Sequence, residues 1–375
     1  MQFPINRFCF FLLLGLLVTL KGVSQAAHPD FTAITVGQLD SPWALEFLPD
    51  SRILISEMKG TLKLLDDDGA ELGEVSGVPE VVFGGQGGLA DIVLHPDFEV
   101  NQLLYLSYAE AGANKTAGAA VARGRLVLGE RGGELQDLEV IWRQVPKVKG
   151  RGHYGHRITF GPSKNLWISS GERQKFDPSQ DMESNLGKIV RLNSDGSAAA
   201  DNPFGTVDPV ASEIWSLGHR NPLGLAFDLS GRLWTVEMGP KGGDELNLVR
   251  RGANYGYPVV SNGDHYSGED IPDHDTRHEY SPPKITWGQV ISPSSMMVYS
   301  GEEFPEWKGD AFIGGLSSKA LVRVDFDGDS AREAQRFDLG FRVRGVAQGP
   351  RGAIWVIEDG RRGSGKLIKM INPNQ

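Results

Sequence analysis

The chain reads as all-β, a six-bladed β-propeller, and three observations lead there. Helical periodicity is nearly absent, and short runs of β-branched, aromatic and leucine residues alternate with Gly, Pro and Asp turns. One hairpin pattern returns six times along the chain. The 375 residues include 48 glycines, the residue that tight connections between short strands need wherever φ turns positive.

Each copy of the pattern is an apolar strand, a turn, and a second strand in which Leu or Ile precedes an aromatic or aliphatic residue. The copies start at Trp43, Ile92, Ile158, Leu225, more loosely at Met297, and at Val346. They lead into Ile53-Leu54-Ile55, Leu103-Leu104-Tyr105-Leu106, Leu166-Trp167-Ile168, Leu233-Trp234-Thr235-Val236, Ala311-Phe312-Ile313 and Ile354-Trp355-Val356. One such hairpin cannot bury both faces, so radial repetition supplies the missing neighbours. A pair of β-sandwiches is the alternative arrangement. The segment near Phe31 to Val36 is expected to pair with Lys366 to Met370 and close the ring. The spacing widens between the second and fifth copies, which places long loops there, and loops on a rigid scaffold usually carry function.

Residues 1–26 stand outside this pattern. Arg7 precedes an apolar run from Phe8 to Leu20, and Ser24-Gln25-Ala26 supplies the small residues a signal peptidase needs, so cleavage is expected after Ala26. The run is well short of the ~20 residues of a membrane-spanning helix. Residues 27–375 then form a single propeller domain, periplasmic or secreted, without a membrane anchor. Cys9 leaves with the signal, which removes disulfides and thiolate chemistry from the mature chain. The formal charge of -10 becomes -12 once Arg7 and Lys21 are lost, and a field of that sign argues against nucleic acid or anionic lipid as partners.

Binding chemistry concentrates in Gly218-His219-Arg220-Asn221-Pro222, followed by Glu237-Met238-Gly239-Pro240 and Gly243-Asp244-Glu245. A fixed cation, an amide and turn carbonyls beside a carboxylate pair are the groups that hold a polyanionic ligand through a hard metal ion. Read without further context, Arg220 could equally form an ion pair between blades, and Glu245 could be a solvated turn carboxylate.

These motifs occur in order with Gly84-Gly85-Gln86-Gly87-Gly88-Leu89, His153-Tyr154-Gly155-His156-Arg157, Leu186-Gly187-Lys188-Ile189 and Asn254-Tyr255-Gly256-Tyr257-Pro258. Together they resemble the pyrroloquinoline quinone (PQQ)-dependent aldose sugar dehydrogenases of the soluble glucose dehydrogenase family, over nearly the whole mature chain. The resemblance implies PQQ flat over the propeller axis with the aldose above it. C1 oxidation to a lactone would proceed by hydride transfer to quinone carbon C5, and electrons would pass to an external acceptor. Residue by residue it implies His153 as general base and Glu172 as the carboxylate that orients it, where the family pattern has an acid one methylene shorter. Arg220, Asn221, Gln86, Tyr266 and the alternating pair Arg342 and Arg344 are implied cofactor contacts. The Gly239-Pro240 turn is implied as a catalytic Ca2+ site, and Glu245 with the Tyr255 carbonyl as a structural one. Arg157 is expected beneath the site in a structural role, and His156 and His219 are expected to be structural.

One departure stands out. Where relatives carry a Leu-Lys step on the fifth blade, this chain reads Gly314-Gly315-Leu316-Ser317-Ser318-Lys319-Ala320. Ser317 then takes the lysine's place, with Lys319 expected on the same strand face. The departure leaves open a secreted propeller that binds carbohydrate or protein without catalysis. A calcium-dependent lactone hydrolase is a third possibility.

Overall fold

The computed structural model describes Met1 and residues 25–28, 30–205, 208–360 and 362–374. Most of the expected signal segment, including Cys9, lies outside the described residues. The strand Gln25–His28 spans the bond after Ala26 and pairs with the start of Phe31–Leu39.

The chain is all-β, with a few short helical turns. Its repeated hairpins begin with the strands Pro42–Phe47, Leu89–Leu94, Gly155–Phe160, Pro222–Phe227, Pro293–Val298 and Val343–Gln348. Each of these packs against the next, and the last packs against the first, so they line a common axis. Behind them run second strands such as Ile53–Glu57, Leu166–Ser170 and Leu233–Glu237, buried throughout because sheets press on both faces. The first two hairpins share one eight-stranded sheet, because Glu71–Ser76 and Gly133–Arg143 pair in parallel through Val75 and Ser76. The strand Phe31–Leu39 runs antiparallel to Gly365–Ile371 with Ala33 opposite Met370, the pairing expected from the sequence.

Aromatic pairs repeat between neighbouring hairpins. Phe160 meets Tyr105 at 5.0 Å, Phe227 meets Trp167 at 5.6 Å, and Phe47 meets Trp355 at 5.5 Å, all edge to face. In each, the ring at the end of a first strand packs on the second strand of the preceding hairpin, worth about 0.5–1.5 kcal/mol apiece beyond burial. This explains the aromatic residue that recurs after Leu or Ile in the sequence.

The axis is filled by Arg157. Its guanidinium bonds Asp91 Oδ1 at 2.9 Å, the Leu223 carbonyl at 2.7 Å and the Ser294 carbonyl at 2.6 Å, and lies 3.8 Å from the centre of the Trp43 ring. One side chain thus touches four other hairpins. Among the described residues, no helix is long and apolar enough to cross a membrane.

Candidate active site

The loops that precede the first strands gather at one end of the axis. A cavity of about 240 Å³ opens there, floored by Trp43, Tyr154, His156 and Leu223, with Gln86, Arg342 and Arg344 among its polar walls. Gly85 also lines it at φ +62°, and a Cβ there would come within 2.4 Å of the Arg151 carbonyl, so only glycine lets the two loops meet.

His153 sits in a loop that turns through positive φ at His153, Gly155 and His156. Its backbone N–H donates to Gln86 Oε1 at 2.7 Å, and its carbonyl accepts from the Arg173 N–H at 3.1 Å. Arg173 holds the loop from behind. Fully buried, it donates to the carbonyls of Gly152, Ala117 and Gly150 at 2.9, 2.6 and 2.7 Å, and stacks 3.6 Å from the Tyr154 ring centre. The imidazole Nδ1 bonds Glu172 Oε1, whose other oxygen accepts from the backbone N–H groups of Lys175 and Phe176.

Burial holds the His153 imidazole below the ordinary histidine range despite the Glu172 bond, and the charges of Arg220 and Arg173 add to the depression. Burial favours a neutral Glu172, but its bonds to His153 and the Phe176 N–H outweigh this and keep it below the usual carboxylate range. The pair is therefore a neutral imidazole donating Nδ1–H to a carboxylate. That tautomer leaves Nε2 as the basic atom, and Nε2 has no hydrogen bond among the described residues.

Arg220 is buried, donates to the Met238 carbonyl at 2.9 Å, and has no ion pair among the described residues. Its buried Nε has no acceptor. Asn221 is fully buried, accepting from the Gly155 N–H at 3.2 Å and reaching Gln86 Oε1 at 3.5 Å, so it braces the His153 loop. Neither Arg220 nor Asn221 lines the cavity, but both bond Met238, which does: Arg220 through the Met238 carbonyl, and the Asn221 carbonyl by accepting the Met238 N–H at 3.2 Å. Arg342 and Arg344 flank buried Val343 and share one carboxylate, Asp359, at 2.8 and 2.9 Å. Two cations on one acid leave the rim with a net positive charge.

Beside Arg220, a gap of about 10 Å³ is lined by Gly239, Pro240, Glu237, Glu245 and Tyr255. This is room for roughly one water-sized particle. Glu245 is not a solvated turn residue: it is 7% exposed, and burial with the neighbouring Glu237 charge pushes its carboxyl well above the usual range. Asn247 Nδ2 bridges Glu237 and Glu245 at 3.1 and 3.2 Å. The Tyr255 carbonyl accepts from His274 Nε2 at 3.0 Å. Gly239 tolerates no Cβ, which would fall 2.2 Å from the Gly243 carbonyl. Among the described residues, no three His, Cys, Asp or Glu side chains cluster as a metal site.

The remaining sequence candidates lie elsewhere. The strand Ala311–Gly315 ends before Leu316, so Ser317 and Lys319 belong to a turn and not to a common strand face. Ser317 is exposed and bonds Ser292 Oγ at 2.8 Å at the cavity edge; Lys319 is exposed at φ +53°. Tyr266 is 76% exposed and does not line the cavity.

The model of the family described as "Glucose / Sorbosone dehydrogenase" matches residues 39–369. The chain belongs to the glucose/sorbosone dehydrogenase family. Among the relatives of this sugar dehydrogenase, aldose sugar dehydrogenase YliI of Escherichia coli (strain K12) is 38% identical over 345 residues, 90% of this chain and 91% of that protein. Among solved structures, the soluble aldose sugar dehydrogenase of E. coli in its apo form superposes with a TM-score of 0.85 at 37% identity, covering 91% of this chain and 99% of the other. The PQQ-bound aldose sugar dehydrogenase of Streptomyces coelicolor gives 0.74 at 30% identity, covering 92% and 99%. The fold of this dehydrogenase is thus that of the PQQ glucose dehydrogenase propellers.

Two residues that build the candidate site, Arg173 and Asp359, lie outside the motifs singled out in the sequence. Glu237 lies within the Glu237-Met238-Gly239-Pro240 motif, and its two oxygens accept from His219 Nδ1 and the Arg220 N–H. For Arg173, the signal was its position next to Glu172. For Asp359 it was an acid ending a strand opposite the Arg342 and Arg344 pair.

Proposed function

We propose that the chain is a periplasmic or secreted quinoprotein that oxidises the C1 hydroxyl of aldoses to lactones, with PQQ and Ca2+ bound in one domain spanning residues 27–375. We also read the ring as six-bladed, supported by the cyclic packing of its six first strands. The observation that carries the functional reading is the buried His153–Glu172 pair beside the cation-rimmed cavity.

The residues present fit the cofactor. PQQ is a planar ortho-quinone with three carboxylates, and the cavity combines an aromatic and apolar floor with Arg342 and Arg344, which share one acid. Arg220, with a buried Nε that has no acceptor among the described residues, bonds the carbonyl of Met238, which lines the cavity. Guanidinium groups suit carboxylates because they stay charged when buried and bond bidentately. When bound, PQQ would supply the two-electron acceptor for the hydride that leaves the sugar. A Ca2+ ion would be held by oxygen atoms at the Gly239-Pro240 turn, polarising a quinone oxygen, with a second ion at Glu245.

The chain's own part is proton chemistry and exclusion of water. Glu172 fixes the imidazole tautomer, so His153 Nε2 accepts the C1 hydroxyl proton as hydride leaves the same carbon. The Gln86 and Arg173 bonds hold the His153 backbone in place. Arg342 and Arg344 orient an anionic ligand over the floor.

Reconstitution with PQQ and Ca2+ tests this, by following visible absorbance and dye reduction across a panel of aldoses. Sugar-dependent dye reduction is expected. Absence of both PQQ binding and turnover on any aldose would favour the alternative, a secreted propeller that has lost its cofactor and binds carbohydrate or protein without catalysis. The exposed positions of Ser317 and Lys319 give that alternative its one supporting observation.

A further inference from the structure

Charge pairing is shared unevenly between the two ends of the propeller. In the turns that follow the first strands, Arg52, Lys164, Arg232 and Arg351 pair with Asp50, Asp97, Asp228 and Asp67 at 2.7, 2.7, 2.7 and 3.4 Å. At the cavity end, Lys149, Arg151 and Lys175 are exposed and make neither an ion pair nor a side-chain hydrogen bond among the described residues. In a chain of formal charge -10 they leave one positive region within a negative field.

These cations follow one another around the mouth of the cavity. Arg151 lies over the turn at Phe83 and Gly84, where a Cβ on Gly84 would come within 3.0 Å of its guanidinium. The next residue, Gly152, abuts Gln174, since a Cβ there would fall 2.5 Å from Gln174 Oε1, and Gln174 leads into Lys175 and Phe176. The Phe, Tyr and Trp side chains most open to solvent among the described residues are Phe83, Phe176 and Tyr266, at 45%, 43% and 76%. All three stand on this face, because the Phe176 ring lies 5.6 Å from His265, the neighbour of Tyr266. Exposed Glu80 and Asp177 bound the arc, and Asp264, Glu269 and Asp270 make the far side of the mouth acidic. Apolar rings beside unpaired cations suit a protein surface of opposite sign, whereas a small anion would gain from the charges and not from the rings.

We propose that the arc of Phe83, Lys149, Arg151, Lys175 and Phe176 docks an acidic one-electron carrier protein, which receives the electrons taken from the sugar. This rests on the dehydrogenase reading given above. Oxidation of one aldose to its lactone releases two electrons and two protons; two carrier molecules in turn are each reduced by one electron, and the protons pass to water. The rest of the acidic chain repels such a partner, so the arc both steers it and fixes its orientation over the cavity.

The test uses the protein loaded with PQQ and Ca2+, a basic cytochrome c, and the same cytochrome with its lysines succinylated, which inverts its charge and keeps its haem. At about 10 mM salt the succinylated form should be reduced at least about tenfold faster than the basic form, a preference that vanishes near about 0.5 M salt, where the screening length is about 4 Å. Lys149→Glu combined with Arg151→Glu should weaken binding of the succinylated form, read by calorimetry without sugar, by about tenfold or more and slow its reduction as far. Sugar-dependent reduction of a small neutral quinone by that variant should match the parent. The proposal is overturned if the double variant binds the succinylated form as the parent does, or if the basic form is reduced as fast at low salt. A variant that also loses quinone reduction would place these cations in the chemistry and overturn the docking role. Absence of quinone reduction in the parent would instead overturn the dehydrogenase reading, and the binding measurement would still decide the docking.

Discussion

Glu172, which has no exposed surface, accepts the Nδ1–H of His153, so the tautomer of the one is set by the charge of the other. Two further N–H groups, from Lys175 and Phe176, hold that carboxylate in place. Glu172→Gln keeps the shape but lets the side-chain amide donate, which favours the wrong tautomer. Turnover should fall by about 10²–10⁴ with PQQ still bound, and His153→Ala should fall at least as far. Near-normal rates in either reconstituted variant would remove the pair from the mechanism.

The depressed basicity of His153 has a direction that pH can test. A lowered value keeps the imidazole neutral in more acidic solution, so the acid limb of the turnover profile should lie below the ordinary histidine value of about 6.5. An acid limb above that value contradicts the burial argument.

His156 bears on stability in the same pH range. Its ring is buried, stacks on Tyr154 at 5.0 Å, leaves both nitrogens without partners among the described residues, and is pushed down to about 3 by burial and by Arg173 and Arg157. From about pH 6.5 downward the unfolded chain takes up a proton that the folded ring refuses, so stability falls as pH falls. His156→Phe should therefore flatten the loss of unfolding free energy by up to about 1.4 kcal/mol per pH unit between roughly pH 6 and 4. Parallel curves for parent and variant in denaturant titrations would show that the ring protonates normally.

Asp359 neutralises only one of its two arginines. Arg344→Gln should weaken PQQ binding by about ten- to a hundredfold, the equivalent of one charge-assisted contact. Asp359→Asn should leave binding equal or tighter, because it frees a guanidinium. Measured cofactor affinities that move the opposite way would take this rim out of the cofactor site.

Arg157 and Asp91 are both buried and bonded at 2.9 Å on the axis. Arg157→Met should cost about 3–5 kcal/mol, since it strands a buried carboxylate, and adding Asp91→Asn should recover part of that loss. Additive losses in the double variant would show that the pair is not coupled.

Chelation should act on this protein at two levels if calcium occupies both the Gly239-Pro240 turn and Glu245. Glu245→Gln should lower the melting temperature more than it lowers turnover at cool temperatures. Melting insensitive to both chelator and substitution would exclude the second ion.

The hairpins, their aromatic positions and the pairing of Phe31–Leu39 with Gly365–Ile371 were legible in the sequence, as was the shared face of Arg342 and Arg344. Each depends on strand period and turn residues, which act within a few neighbours along the chain. The turn that carries Lys319 away from the strand face was not legible, because a strand's end depends on what its neighbour offers to pair with. Nor was the place of Tyr266, on a loop with few turn constraints. Only the tertiary structure decided the convergence on the axis, where Arg157 reaches partners 66 and 137 residues away, and the sharing of Asp359 by two cations. Contacts at that separation are set by how sheets pack around the ring, and local periodicity carries no information about them.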